Sequence, residues 1–413
     1  MNMIKYFSIF LLIYCLTTQF LFSSDYDSIA LEECINLALN NNPYLKVHRG
    51  YEEYQNLVIK HRKGNFFPSV ETSYGIINSS FYRSDIISSR LDFNYDIMNV
   101  TNALNVKSAK KQLQYRKYNT KYYEQHVKLS TTQAFYDAYR IQEMIPLFIA
   151  EKNEYTMLLT FAESNNLSEY DRIFIGIEIK ELEKQIENLK NDYSRSICYL
   201  KNVIGNSEIK IGTLNSNTIF NPISTKLEGA IWDYVERRSD VQAALVLKSN
   251  AEVNVKIAYS SLFPRINLGV SSSYYKSLKA SEYYTGNEDI RANLYLPIFA
   301  GFRRKQEIEI AKNDIKIQEN SLEDVRQRAI YEIQNAYQML NRIENEYLIN
   351  ESVIVDAKKK FDMSVNRYKK GIGNLIEVRD ALYKCYESRI NQLELLIFYR
   401  TSCAYFNWTI GEI

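Results

Sequence analysis

Length, composition and charge already exclude several classes of protein. The chain has 413 residues, of which 46% are hydrophobic and 24% charged, and its formal net charge is +2. Such a chain forms one large or two ordinary domains, and so small a charge gives no bulk attraction to nucleic acid. Its 13 glycines and 6 prolines are few for its length, which indicates long helices with few breaks.

The N-terminus predicts a secretory signal peptide. Lys5 is followed by an apolar run from Tyr6 to Phe22 and then by two serines. We therefore expect residues 1–24 to be removed and residues 25–413 to form the exported protein. No later segment has the roughly 18 uncharged apolar residues of a membrane-spanning helix. An exported chain of this kind that enters a membrane would do so as strands.

Two halves of the chain resemble each other. The segment NNPYLKVHRGYEEYQNLVIKHRKGNFFPS (41–69) aligns with RRSDVQAALVLKSNAEVNVKIAYSSLFPR (237–265), and the halves end on the similar words YLKNVIG and YFNWTIG. We predict two repeats, residues 31–205 and 227–413, each consisting of a helix, two strands, a very long helix, a corner and a helix. Asn42 and Pro43 predict the N-cap and first residue of the leading helix in the first repeat.

Four segments alternate apolar and polar residues and predict strands at about 69–77, 90–98, 265–275 and 290–298. Strands of about 8 to 10 residues with this alternation are typical of transmembrane β-barrels, although a soluble sheet with one wet face has the same pattern. Four strands cannot close a barrel, because the smallest membrane barrels have about eight. The membrane interpretation therefore requires several chains to share one barrel, and a trimer gives about twelve strands.

The long helices carry apolar residues at steps of three, four or seven. In the second repeat this pattern covers about 301–366, and two separate apolar stripes continue after the corner. Two stripes on one helix predict two neighbouring helices, as in a closed ring. In the first repeat, Pro146 falls inside the long helix and predicts a bend or local break.

The corners at about 163–169 and 370–375 predict the tips of helical hairpins. Gly371 and Gly373 can adopt the left-handed backbone that reverses a helix. Asn165 and Asn166 hold the matching place in the first repeat, and asparagine is the best substitute for glycine there.

Motifs for catalysis or cofactor binding are missing from the sequence. There is no phosphate-binding GxxxxGK[ST], no GxGxxG, no GxSxG and no CxxC, and the three histidines lie apart from each other. Cys385 and Cys403 lie on an apolar stripe, which indicates small buried hydrophobic residues. We therefore expect no enzyme, no catalytic residue, no cofactor and no bound metal.

Taken in order, several words of the sequence resemble the TolC-like family of outer membrane efflux and secretion channels, also called outer membrane factors. They are LEECINLALNNNPYL (31–45), FFPSV and LFPRI before the strand pairs, LPIFAGFRRK (296–305) and RYKKGIGNLIEVRDAL (367–382). The resemblance implies an α+β, mostly α, fold. It implies a homotrimer whose twelve-stranded transmembrane β-barrel, four strands per chain, continues into a long periplasmic α-helical barrel of coiled-coil hairpins.

The same resemblance implies a function. It is that of a passive exit duct in the outer membrane, serving a tripartite efflux pump or a type I secretion system. The duct would dock a periplasmic adaptor (membrane fusion) protein and an inner-membrane transporter. A periplasmic coiled-coil scaffold without a pore is the alternative, and it would explain the heptads and corners but would not need the strand pairs. A receptor or adhesin would explain strands and export but not the matched hairpin tips.

The resemblance also implies roles for individual residues. Glu377 and Asp380 match lumen-facing acids and share one helix face, so a trimer would carry rings of negative charge that favour cations. The alternative is a solvated outer face on which Arg379 is a partner. Asp171 matches an acid that helps to hold the tip closed, Tyr368 matches a tip aromatic, and Gly373 stands where a basic partner is expected. The surface that would contact the adaptor comprises Asn165, Asn166, Leu167, Ser168, Gly371, Ile372, Gly373, Asn374 and Leu375.

Overall fold

The computed structural model describes residues 28–79, 84–165, 168–216, 220–222, 231–277 and 284–412; the predicted signal peptide lies outside them. Within these ranges the helices are α1 Leu31–Asn41, α2 Pro43–Gly64, α3 Val100–Ser164, α4 Glu169–Ile204, α5 Ile231–Arg237, α6 Ser239–Ser260, α7 Arg303–Lys369 and α8 Leu375–Thr409. The strands are β1 Ile29–Ala30, β2 Ser69–Ser79, β3 Ser84–Met98, β4 Leu214–Asn215, β5 Arg265–Ser277 and β6 Tyr284–Tyr295. Elements of the two predicted repeats therefore follow one another in the same order.

The chain divides into two compact units, and each contains parts of both predicted repeats. The sheet unit comprises Pro43–His126, Thr225–Tyr337 and Phe406–Ile413. Counting described residues only, the hairpin unit is drawn from the ranges 28–42, 127–224 and 338–405. No helix among the described residues is both long enough and apolar enough to cross a lipid bilayer.

The sheet unit holds a four-stranded antiparallel sheet in the order β2-β3-β5-β6. β2 and β5 begin at the predicted residues, and β3 ends at the predicted residue. In contrast, β6 begins earlier than expected and ends at Tyr295, not at residue 298. Pro297 explains the early end, because proline has no N–H to donate to a neighbouring strand. The strands are longer than predicted because their pairing extends toward the connecting loops, as in Ile76–Ile87 and Lys276–Tyr284.

The pairing register separates an apolar face of the sheet from a polar one. One row across all four strands consists of Val70, Phe93, Val270 and Ile290. The next row, on the opposite face, consists of Glu71, Asp92, Ser271 and Asp289. All four side chains of the apolar row are exposed in the single chain. Since side chains alternate along each strand, the sheet has one apolar face and one polar, charged face.

A buried guanidinium anchors the helices of the sheet unit. Arg238 is 4% exposed and is held by Asp240 at 2.8 Å and Glu332 at 2.7 Å. Its Nη1 also donates to the Thr409 carbonyl at 3.3 Å, and the guanidinium lies 5.2 Å from the centre of the Trp408 ring. Burial lowers the pKa of Arg238, but its hydrogen bonds and the two carboxylates outweigh this effect and raise it. The cation therefore ties α6, α7 and the end of α8 together.

The hairpin unit is built on the predicted apolar stripes. Its core contains residues from all four long helices, among them Tyr155, Ile175, Phe361 and Leu382. In the part of α7 that belongs to this unit, apolar residues at such steps, among them Leu340, Ile343 and Phe361, are buried. The second stripe of α8 begins on exposed residues, Ile376 and Tyr383.

The long helix α3 is continuous through Pro146, so the predicted local break is wrong; a bend there stays a prediction. Proline cannot supply the N–H that the Gln142 carbonyl would otherwise receive. The Gln142 side chain connects this turn to β4. Its Nε2 donates to the Leu214 carbonyl at 2.9 Å, and its Oε1 accepts from the Leu214 N–H at 2.9 Å. The hydroxyl of Tyr193 also donates to this oxygen, at 3.1 Å.

The similar sequences YLKNVIG and YFNWTIG, at the ends of the two repeats, both finish in a glycine that ends a helix. Gly205 and Gly411 both have left-handed backbones, with φ of 79° and 78°. Their N–H groups donate to carbonyls of the preceding helical turn, at Asn202 and Trp408. Such a glycine ends a helix without steric cost. At the other end of the first repeat, α2 begins at Pro43 as predicted, while the Asn42 side chain donates to the Val203 carbonyl at 2.8 Å.

Candidate functional site at the hairpin corners

The first corner joins α3 to α4. Asn165 donates from its side chain to the Phe161 carbonyl at 2.9 Å, and Asn166 and Leu167 lie outside the described residues. Ser168 caps α4, because its hydroxyl accepts the Asp171 N–H at 3.1 Å. Asn165 does not take the left-handed backbone expected of it, since Phe302 alone among the described non-glycine residues has a positive φ.

The second corner joins α7 to α8, and its two glycines serve different purposes. Gly371 has φ of +71°, the left-handed conformation predicted for it, and its N–H donates to the Tyr368 carbonyl. Gly373 has no such φ. A Cβ added there would lie 3.1 Å from the Cβ of Arg367, so this glycine is needed for a close approach of backbone and side chain.

The remaining residues of the second corner divide into exposed and buried ones. Ile372 is exposed, and Asn374 caps α8 by accepting the Glu377 N–H at 2.8 Å. Leu375 is only 4% exposed and belongs to the core of the hairpin unit. The expectation that Leu375 contributes to a docking surface is therefore wrong for its side chain, because the core has already buried it.

Asp171 and Tyr368 connect the two hairpins. The Tyr368 hydroxyl donates to Oδ2 of Asp171 at 3.4 Å. Burial of the Tyr368 ring, together with the charge of Asp171 and this hydrogen bond, raises the pKa of the phenol to about 12. Tyr368 thus remains a neutral donor over the physiological range, and Asp171 is the acceptor in this link between the hairpins.

Both acids of the predicted pair lie in α8, and each has an arginine neighbour. Asp380 accepts from Nε and Nη2 of Arg379 at 3.1 and 2.9 Å, which is the partnership that the outer-face alternative proposed. Glu377 lies 3.7 Å from Nε of Arg367. Both carboxylates remain about half exposed, so solvent screens these pairs.

Two features of the corners were missed from the sequence. Arg367 was not recognised as the basic neighbour of the second corner, although it directly precedes Tyr368. The words SEYD and NLIE, at 168–171 and 374–377, also place an acid three residues after a Ser or Asn cap. This spacing is a helix-start signal, and it would have located both helix N-termini.

The fold is shared with solved structures of outer membrane channels. An antiparallel four-stranded sheet joined to two long helical hairpins is the fold of TolC-like outer membrane channels. The structure of MtrE from Neisseria gonorrhoeae, an outer membrane channel in its open state, matches with a TM-score of 0.80 over 92% of this chain and 88% of that one, at 16% identity. CmeC, the outer membrane channel of Campylobacter jejuni, matches with a TM-score of 0.79 over 94% and 87%, also at 16% identity.

The sequence comparisons agree with the fold. Residues 231–402 match the family described as outer membrane efflux protein. The pyoverdine export outer membrane protein OpmQ of Pseudomonas putida is 24% identical over 170 residues, which cover 40% of this chain. The match covers only 35% of the length of that relative. Residues 231–402 are therefore similar in sequence to outer membrane efflux proteins, and the chain shares its fold with solved outer membrane channels.

Proposed function

We propose that the chain is one protomer of a homotrimeric exit duct through the outer membrane. The observation that carries the proposal is the four-stranded sheet, whose edge strands β2 and β6 have no further partner among the described strands. Open edges of long strands demand pairing, and the sheet has one apolar face and one charged face. Three such sheets, paired edge to edge, would make a barrel of about twelve strands with lipid outside and water inside.

The hairpin corners support docking of a periplasmic adaptor, with an inner-membrane transporter behind it. Several large apolar side chains near the corners are exposed in the single chain, namely Tyr170, Ile173, Ile372 and Ile376. Apolar groups gathered at the end of a hairpin favour a protein partner. In this proposal the duct supplies no energy, and the transporter drives export of an efflux substrate or a type I secretion substrate.

Glu377 and Asp380 would set the charge of the periplasmic entrance. Each lies in the first two turns of α8 and is about half exposed. In a trimer they would form two rings of about three carboxylates, which favour cations. Arg367 and Arg379 would reduce this effect without removing it, since exposed pairs are worth about 0 to 1 kcal/mol.

Conductance across a planar lipid bilayer tests the proposal. Purified protein should give discrete, cation-selective current steps. Neutralising both acids, with Glu377→Gln and Asp380→Asn, should lower cation selectivity and leave the number of steps unchanged, whereas Asp324→Asn, an exposed acid of α7, should change neither. Protein that is soluble without detergent and gives no steps would instead favour the scaffold. Steps with unaltered selectivity in the double variant would remove only the charged-ring assignment.

A further inference from the structure

A cavity of about 670 Å³ lies inside the hairpin unit, between α3, α4 and α8. This volume falls within the range of about 300 to 1,000 Å³ that is typical of small-molecule sites. It belongs to neither corner, and the roles described above use only Arg379 and Asp380 of its lining. The site stands independently of the channel function, since every residue that forms it lies in one protomer.

Glu151 is the unusual residue of this cavity. Its side chain lines the cavity, yet it is only 7% exposed. Among the residues that the structure describes, none donates a hydrogen bond to its carboxylate. Burial, followed by the charge of Glu178, raises the pKa of Glu151 to about 7. A carboxylate buried without a partner is unfavourable, so the position is suited to a cationic ligand.

The other charges around Glu151 do not supply that cation. From α4 and α8 the charged groups facing the cavity are Glu178, Glu181, Arg379, Asp380 and Glu387. Arg379 is bound to Asp380 at 2.9 Å, and Glu387 is bound to Lys384 at 2.6 Å. The ion pairs of the described residues leave Glu151 and Glu181 without a basic partner, whereas Glu178 lies within electrostatic reach of Arg379. No acid group among the described residues has the arrangement of a metal site.

The remaining walls of the cavity are mostly aromatic and apolar. Phe148 and Tyr155 lie three residues before and four after Glu151 on α3, and Tyr383 contributes from α8. Residues at these spacings share one helix face. Aromatic faces attract organic cations as well as apolar groups, and the neighbouring Phe174 ring already carries the Arg379 guanidinium at 5.6 Å.

We propose that this cavity is a binding site for an organic ammonium ion that carries an aromatic or apolar group, with Glu151 as its buried counter-ion. Glu178 and Glu181 add negative potential, and the rings of Phe148, Tyr155 and Tyr383 receive the apolar part of the ligand. Binding favours the ionised form of Glu151, so affinity increases as the pH rises through the range in which this carboxyl titrates.

Calorimetric titration of the full-length protein in non-ionic detergent tests the site, with tryptamine as the probe. Tryptophol, which has the same ring but a neutral hydroxyl, is the matched ligand control. Glu151→Gln should weaken tryptamine binding about tenfold or more, by loss of a charge-assisted contact. Glu163→Gln, an exposed acid on the same helix, should leave affinity unchanged, and Glu151→Asp should retain part of it.

The pH profile adds a second readout. Tryptamine stays protonated across pH 6 to 8, so wild-type affinity should fall several-fold toward pH 6, while the Glu151→Gln variant should show a flatter profile. Equal affinity for tryptamine and tryptophol would overturn the proposal, as would equal affinity of wild type and Glu151→Gln. Neither result would bear on conductance, so failure of this site is distinguishable from failure of the proposed function.

Discussion

Replacing Glu151 by glutamine should make the protein more stable at high pH and leave its stability unchanged at low pH. The carboxyl has its pKa raised from the ordinary 4.5 to about 7 by burial and by Glu178. Below pH 4.5 the group is protonated in both the folded and the unfolded chain, so it contributes nothing. Above pH 7 it is ionised in both, and the folded state bears the whole cost.

The size of this effect follows from the shift in pKa. One pH unit corresponds to about 1.4 kcal/mol, so the wild-type protein loses about 3 kcal/mol of stability per chain between pH 4.5 and pH 7. Glutamine has nearly the same shape and no charge to desolvate. The variant should therefore gain up to about 3 kcal/mol relative to wild type at pH 8 and about none at pH 4.5.

Thermal unfolding in detergent, followed by circular dichroism at pH 4.5 and pH 8, measures this difference. Glu163→Gln provides the control, because this acid lies exposed on the same helix. No ligand is added, so that a bound cation does not mask the cost. A Glu151→Gln variant whose melting temperature differs from wild type equally at both pH values would refute the reasoning.

Three further predictions concern single contacts. Arg238→Met leaves Asp240 and Glu332 without their buried partner and should cost about 3 to 5 kcal/mol, measured as a lower melting temperature; a change below about 1 kcal/mol would contradict the anchor role. Gly371→Ala forces a side chain into the left-handed region and should cost about 1 to 2 kcal/mol. Gly50→Ala, in the middle of α2 with open space around it, should instead stabilise by up to about 1 kcal/mol, and equal effects would refute the conformational argument. Tyr368→Phe removes the hydroxyl that donates to Asp171 and should raise the rate of amide hydrogen exchange at the corners or increase conductance. Unchanged exchange and unchanged conductance would show that this hydrogen bond does not keep the hairpin tips closed.

Much of this fold could be predicted because its helices are long and their apolar residues regularly spaced. The stripe that includes Leu340 and Phe361 indicated the buried side of α7, since a helix of many turns averages out single exceptions. The alternation in β3 likewise indicated two unlike faces of the sheet. The left-handed Gly371 followed from its position just after a helical pattern.

Other features depend on packing between distant segments and could not be predicted. Glu151 and Glu178 look like ordinary surface acids of a heptad pattern, and the burial of Glu151 arises only where α3 meets α4 and α8. Leu375 looked like part of a corner surface, yet the core of the hairpin unit takes up its side chain. Gly373 was expected to share the backbone of Gly371, whereas its small size is required by Arg367.

The mass of the mature protein in detergent, with the bound detergent subtracted, tests the central claim most directly. Three chains per particle are predicted, because each chain supplies four strands and its sheet has open edges. A particle of one chain, monodisperse and stable, would leave four strands that cannot close into a barrel and would contradict the shared duct.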